Sequence, residues 1–223
     1  MKITILTLFP EMFDGPFKES IIKHAQEKKL VEISLVNIRD FGQGKHRVVD
    51  DRPYGGGVGM VMKVDVINEV LKAVKKPNLS ESEQKVILLD PRGKVYKQGV
   101  AKEFSKLQHL ILLCGHYEGV DERVRSLIDG TISLGDYVVT GGEIPAMMIT
   151  DSVVRLLSGV LKDEATEYES FTINQLEYPQ YTTPRDYEGM AVPDVLLSGN
   201  HKQIETWRKE KAIEITKKHR PDL

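Results

Sequence analysis

Between Thr131 and Pro145 the sequence Thr-Ile-Ser-Leu-Gly-Asp-Tyr-Val-Val-Thr-Gly-Gly-Glu-Ile-Pro sets two apolar runs against glycine-bearing turns, at Leu134-Gly135-Asp136 and at Gly141-Gly142. Glycine at such points lets main-chain amides and carbonyls approach a ligand that a side chain would hold away, which suits a grip on the edges of a flat heterocycle. An isolated Gly-Gly is more often a tight turn with no ligand, so the neighbourhood decides. Two further turns of the same kind follow apolar runs: Val86-Ile-Leu-Leu89 leads into Asp90-Pro-Arg-Gly93, and Leu110-Ile-Leu-Leu-Cys114 into Gly115-His-Tyr-Glu-Gly119. In an open α/β sheet ligands collect just beyond the carboxyl ends of strands, so the three turns could share one pocket. Arg155 lies within a mostly apolar segment, Ile144 to Leu157, where a cation needs a carboxylate, phosphate or ligand partner if it is buried. Beyond it, Tyr168-Glu169-Ser170-Phe171 offers a carboxylate within a stretch of acidic and small residues.

The elements that must hold these turns follow from periodicity. Lys2 to Leu8 reads as a buried strand, Pro16 to Lys28 as a helix and Val31 to Ile38 as a second strand, a βαβ opening. Arg39 to Met60 is too glycine-rich and charged for a core element, and a long loop in a compact domain is usually functional or disordered. Its Gly55, Gly57 and Gly59 formally satisfy G-x-G-x-G, but Asp50-Asp-Arg-Pro53 stands where an apolar strand should be, so a dinucleotide fingerprint is rejected. A helix starts at Asp65, with Ile67, Val70, Leu71 and Val74 on one face. Another spans about Lys97 to Lys106, and a third Ile144 to Leu157, where Pro145 is tolerated in the first turn. Residues 1–157 thus read as an α/β domain, 158–174 as a linker, and 175–223 as a small helical domain with a helix from Lys202 to about Lys218. Seven Lys and Arg against three Glu between 200 and 220, around Trp207, suit an RNA backbone with a stacked base. They are read as well by a solvated helix face over a small core.

Composition narrows the class. With 223 residues, 40% of them hydrophobic, the chain can bury a real core without staples. A net charge of −2 gives no global nucleic-acid signature, so any RNA grip must be local. Cys114 is the single cysteine, which excludes an intrachain disulfide; neither CxxC nor HExxH spacing occurs, and no run approaches membrane-spanning length. A cytoplasmic protein is expected.

Taken in order, Val49-Asp-Asp-Arg-Pro-Tyr-Gly-Gly-Gly-Val-Gly-Met60, Cys114-Gly-His-Tyr-Glu-Gly-Val-Asp-Glu-Arg123, Leu134-Gly-Asp-Tyr-Val-Val-Thr-Gly-Gly-Glu143 and Leu196-Leu-Ser-Gly-Asn-His201 resemble the bacterial tRNA (guanine-N1-)-methyltransferase family, TrmD. The resemblance implies a SPOUT fold, an α/β domain with a deep trefoil knot, which periodicity could not have indicated. It implies S-adenosylmethionine as methyl donor, held in bent form near Leu89, Pro91, Gly115, Tyr117, Glu118, Leu134, Gly135, Asp136, Tyr137, Val138 and Val139, with Gly141, Gly142 and Pro145 closing the pocket. It further implies a homodimer with each active site at the subunit interface, and a tRNA substrate methylated on the guanine 3′ of the anticodon, position 37. Asp50 and Gly59 fall on positions that hold the target guanine. Arg155 matches the family's arginine for the charge on O6, and Glu169 falls on its catalytic aspartate. The family's need for Mg2+ makes Glu118 and Glu169 the candidate carboxylates.

The chain departs from that pattern at Glu169, one methylene longer than aspartate, and at Thr183, where an arginine often precedes the proline. Two other readings stand beside the first: a ribose 2′-O-methyltransferase of the same superfamily, which the 49–60 and 196–201 motifs oppose, and a non-catalytic RNA-binding protein that senses the cofactor. His46, Arg52 and Tyr54 could touch RNA or simply be solvated. Cys114 is expected to be buried and inert, His116 to order its turn, and His24, His109, His201 and His219 to lie at the surface or in caps.

Overall fold

The computed structural model describes residues 1–162, 166 and 169–223; Tyr168 lies outside the described residues. The chain divides into two compact units, Met1–Leu161 and Lys162–Leu223.

In the first unit the apolar runs form the expected strands. In chain order the elements are β1 (Lys2–Thr7), α1 (Asp14–Phe17), α2 (Ser20–Glu27), β2 (Glu32–Asn37), β3 (Asp50–Asp51), β4 (Val61–Met62), α3 (Val64–Val74), β5 (Gln84–Val95), α4 (Gln98–Phe104), β6 (His109–Cys114), β7 (Gly130–Ser133) and α5 (Glu143–Val154). Five strands make a parallel sheet in the order β2-β1-β6-β5-β7. Side chains alternate across it with period two. Ile3, Ile5, Ile87, Leu89, Leu110, Leu112 and Cys114 face one core with Ile22 and Ala25 of α2 and Ile149 and Val153 of α5. Leu6, Val86, Leu88, Ile111 and Leu113 face a second, with Val66, Ile67, Val70 and Leu71 of α3. Both faces of β6 are therefore covered, as its unbroken apolar run requires. Among the described residues no helix is long and apolar enough to cross a membrane.

Several expectations are corrected. The helix expected over 16–28 is split: α1 ends at Phe17, and α2 begins at Ser20, whose φ of +53° breaks the helical path. α5 spans Glu143–Val154 and ends before Arg155. β5 runs well past Leu89, because Lys94 and Val95 rejoin the ladder to β7 after residues 90–93 bulge out of it.

His109, expected at the surface, is fully buried. It opens β6 between two partner strands, where Thr4 Oγ1 lies 2.9 Å from Nε2 and Gln84 Oε1 2.8 Å from Nδ1, so both ring nitrogens are satisfied by neighbours. Burial, with Lys2 and Lys76 nearby, depresses its pKa to about 4. The sign follows directly: the unfolded histidine takes its proton near 6.5, the folded one only near 4. Stability from this site is complete above the unfolded value and is lost as pH falls from about 6.5 to about 4, on the order of 3 kcal/mol in all. Urea midpoints across that window should fall for the natural chain, and His109→Gln should flatten the slope.

The second unit contains a two-stranded hairpin, β8 (Asp186–Tyr187) with β9 (Met190–Ala191), then α6 (Asp194–Leu197) and α7 (His201–His219). Asn200 caps α7 by accepting from the Gln203 amide at 3.2 Å. Trp207 is half-buried, with its ring centroid 6.3 Å from that of Tyr181.

Candidate functional site

The bulge of β5 and the carboxyl ends of β6 and β7 open into a cavity of about 320 Å³ in the first unit, within the usual range for small-molecule sites. Leu89 and Pro91 line it from the first turn, Gly115, Tyr117 and Glu118 from the second, and Leu134, Gly135, Tyr137, Val138, Val139, Gly141, Gly142 and Pro145 from the third. Of the residues expected around the cofactor, Asp136 alone does not line the cavity. Asp90, Arg92, His116, Gly119, Ile132, Ser133 and Thr140 also line it and were not anticipated. All but Ile132 are chain neighbours of an expected residue, so the whole of each glycine-bearing segment was the signal to read.

The glycines matter where space is absent. A Cβ at Gly142 would lie 2.6 Å from Cys114 Cα and 2.9 Å from the Gly115 nitrogen, and the Gly142 amide donates to the Gly115 carbonyl at 2.8 Å. The chain entering α5 therefore runs main chain against main chain with the end of β6. Beneath it, Glu143 is buried and accepts from the Thr7 hydroxyl at 2.8 Å. Burial, with the Glu143 carboxylate beside it, pushes the Cys114 thiol well above its ordinary pKa, so it is an inert core group. His116 packs edge-on to Phe9 and Tyr117, and its Nδ1 is buried with no hydrogen-bond partner among the described residues.

The glycine-rich 52–60 segment is the tip of a hairpin whose stem pairs Asp50 with Met62 and Asp51 with Val61, and Tyr54 at the tip is fully exposed. The stem is laced to the second turn by main-chain bonds: Glu118 N to Met60 O, Met62 N to Gly119 O and Asp121 N to Met62 O, each 3.0 Å. Gly59, at φ +88°, abuts the Glu118 side chain. The expected guanine-holding loop and the expected cofactor turn are thus one connected structure, although neither Asp50 nor Gly59 lines the cavity.

Arg155 sits at the C-cap of α5, its amide donating to Asp151 O at 3.1 Å; it does not line the cavity. The end of a helix favours a cation there. Glu169 belongs to the second unit, where it borders a separate cavity of about 250 Å³ with Ile173, Leu176, Tyr178, Arg208 and Ala212. Its carbonyl accepts from Thr172 N at 3.1 Å. No group of three or more His, Cys, Asp or Glu among the described residues could hold a metal ion.

Residues 1–223 match the family described as tRNA (Guanine-1)-methyltransferase TrmD. The chain is 58% identical over 224 residues to the tRNA (guanine-N(1)-)-methyltransferase of Dictyoglomus turgidum, spanning 100% of this chain and 89% of that protein. It is 55% identical over 225 residues to the protein of the same name from Carboxydothermus hydrogenoformans, 100% and 87% of the two lengths. Against that of Clostridioides difficile the identity is 53% over 225 residues, 100% and 97% of the lengths.

Proposed function

The chain belongs to the tRNA (guanine-1)-methyltransferase family TrmD and is a tRNA-modifying methyltransferase using S-adenosylmethionine; from that premise we propose that it methylates N1 of guanosine-37, 3′ of the anticodon, and so helps maintain the reading frame. The observation that carries the reading is the convergence of three glycine-bearing segments, the β5 bulge and the turns after β6 and β7, on one cavity. The donor fits what lines it. Leu89, Pro91, Leu134, Val138 and Pro145 offer apolar faces to a flat purine, glycines leave main-chain edges for its polar rim, and the unpartnered His116 Nδ1 remains to be satisfied. When bound, S-adenosylmethionine supplies a sulfonium methyl group and leaves as S-adenosylhomocysteine.

The protein's own residues have the rest of the chemistry. Guanine N1 carries a proton and is a poor nucleophile while it does. Glu169 is the base that removes it, and Arg155 is the fixed cation that stabilises the charge shifting to O6. Asp50 and Gly59 hold the base, in the hairpin bonded to the donor turn. Glu118 and Glu169 are the carboxylates proposed for Mg2+, and no step is derived through it. The close main-chain passage of Gly142 by Cys114 and Gly115 supports the knotted SPOUT topology. We further propose a homodimer with its active site at the subunit interface, the 1–157, 158–174 and 175–223 division of labour with tRNA on the last, and a cytoplasmic setting.

Incubation with methyl-labelled donor, Mg2+ and tRNA transcripts bearing G or A at position 37 tests the reading. Label on guanine N1 of the G37 transcript alone is expected; label on ribose, or donor binding without transfer, would sink it. The relatives' names do not favour those two outcomes. A second expectation concerns Gly142→Ala. Its methyl group meets main chain that cannot yield, so a loss of about 1–3 kcal/mol of stability should accompany at least tenfold weaker binding of S-adenosylhomocysteine, measured by urea unfolding and calorimetric titration.

A further inference from the structure

The bulge between Leu89 and Lys94, which carries Pro91 to the cavity wall, has little freedom on its sheet side. A Cβ at Gly93 would lie 2.6 Å from the main chain of Thr131 and Ile132. On its other side it is held by charge. The Asp90 carboxylate, 8% exposed, accepts from Arg92 three times: from the main-chain amide at 2.8 Å, from Nε at 3.0 Å and from Nη2 at 2.8 Å. Arg92 Nη1 reaches Glu122 at 3.4 Å, Glu122 accepts from Arg125 Nε at 2.8 Å, and Arg125 Nη2 returns to Asp90 at 3.6 Å. Arg125 Nη1 also donates to Thr131 Oγ1 at 3.0 Å. Signs alternate around this closed ring, and the two arginines, chiefly Arg92, hold the Asp90 carboxyl below its usual range. The ring thus ties the bulge to the 3-10 turn Glu122–Leu127 and to Thr131 near the start of β7, the strand whose next residues, Ile132 and Ser133, line the cavity.

As a source of fold stability the ring is weak, since Arg92 is 57% exposed and Glu122 69%. Its geometric content is larger. A side chain that bonds both the amide and the guanidinium of the residue two positions on fixes the dihedrals between them, and Pro91 is the residue between. Resting on the methyltransferase reading above, we propose that Asp90 is a positioning residue for the methyl donor, its ring with Arg92, Glu122 and Arg125 setting the path of residues 90–93 and hence the Pro91 wall.

The test compares Asp90→Asn, Arg92→Gln and the double variant in the full chain, by sinefungin titration, thermal unfolding and steady-state kinetics with tRNA. Asp90→Asn is expected to raise KM for the donor and Kd for sinefungin about tenfold or more, the scale of a sub-ångström to ångström displacement of a binding wall, with kcat at saturating donor within about twofold. Arg92→Gln, at an exposed position where folding is not at stake, should move both constants the same way by a smaller factor. The double variant should bind no more weakly than Asp90→Asn, because the partners act as one unit. A lowered melting temperature with unchanged sinefungin affinity, or Arg92→Gln binding as tightly as the natural chain, would overturn the proposal. If the natural chain itself binds no sinefungin, the methyltransferase reading falls and takes this inference with it; if it binds and both single variants match it, this inference alone falls.

Discussion

Glutamine in place of Glu169 should lower single-turnover methyl transfer by about 10²–10⁴, the usual contribution of a positioned base, while S-adenosylhomocysteine binds as before. The amide keeps the shape of the carboxylate but cannot take the N1 proton. Two features separate chemistry from binding in this variant. The donor cavity is lined wholly by residues between Leu89 and Pro145 of the first unit, whereas Glu169 lies in the second. The turn that carries Glu169 is fixed by bonds that the substitution leaves intact: Phe171 N to Gln175 O at 2.7 Å, Thr172 N to Glu169 O at 3.1 Å, and Glu177 N to Ser170 Oγ at 3.0 Å. Glu169→Asp is the complementary probe. It restores the shorter acid that the family resemblance places there, and should retain most activity if the turn tolerates roughly 1 Å less reach. Full transfer by Glu169→Gln would remove this residue as the base.

The reach of the sequence is clearest at the cavity. Apolar runs followed by glycine turns marked the bulge within β5 and the ends of β6 and β7, and the parallel sheet brings all three to one cavity. Strand order was not legible, since period-two alternation fixes which face a residue takes but not which strand lies beside it. Tyr137, Val138 and Val139 form an apolar run, yet they are exposed and line the cavity, where an apolar side chain serves a ligand instead of the core. His109 is the opposite case. A polar residue at a strand end suggests the surface, and its burial depends on Thr4 and Gln84, 105 and 25 positions away, supplying both partners. The Asp90–Arg125 ring is nonlocal in the same way, as is the passage of Gly142 beside Cys114. Local pattern carries no record of such meetings.

Arg155→Gln is expected to reduce kcat/KM by about 10²–10³, the cost of removing one preorganised charge-stabilising donor, and the size of the deficit should depend on pH. Arginine stays protonated throughout the working range, so the natural enzyme owes no part of its pH profile to this residue. Without the cation, the anion developing on guanine O6 lacks its counter-charge, N1 gives up its proton less readily, and transfer leans on solvent base. The deficit should therefore narrow as pH rises. Arg155→Lys keeps the charge but not the planar fork and should fall between. The residue lies at the C-cap of α5, after its last helical turn, and is only partly buried; its helix-end charge by itself contributes about 1 kcal/mol or less, and thermal unfolding of each variant reads any further loss. Rates with unmodified G37 transcript from neutral to alkaline pH decide the matter. A deficit that stays constant across that range would assign Arg155 to holding the substrate, since a binding contact has no reason to weaken its effect as the proton becomes easier to remove.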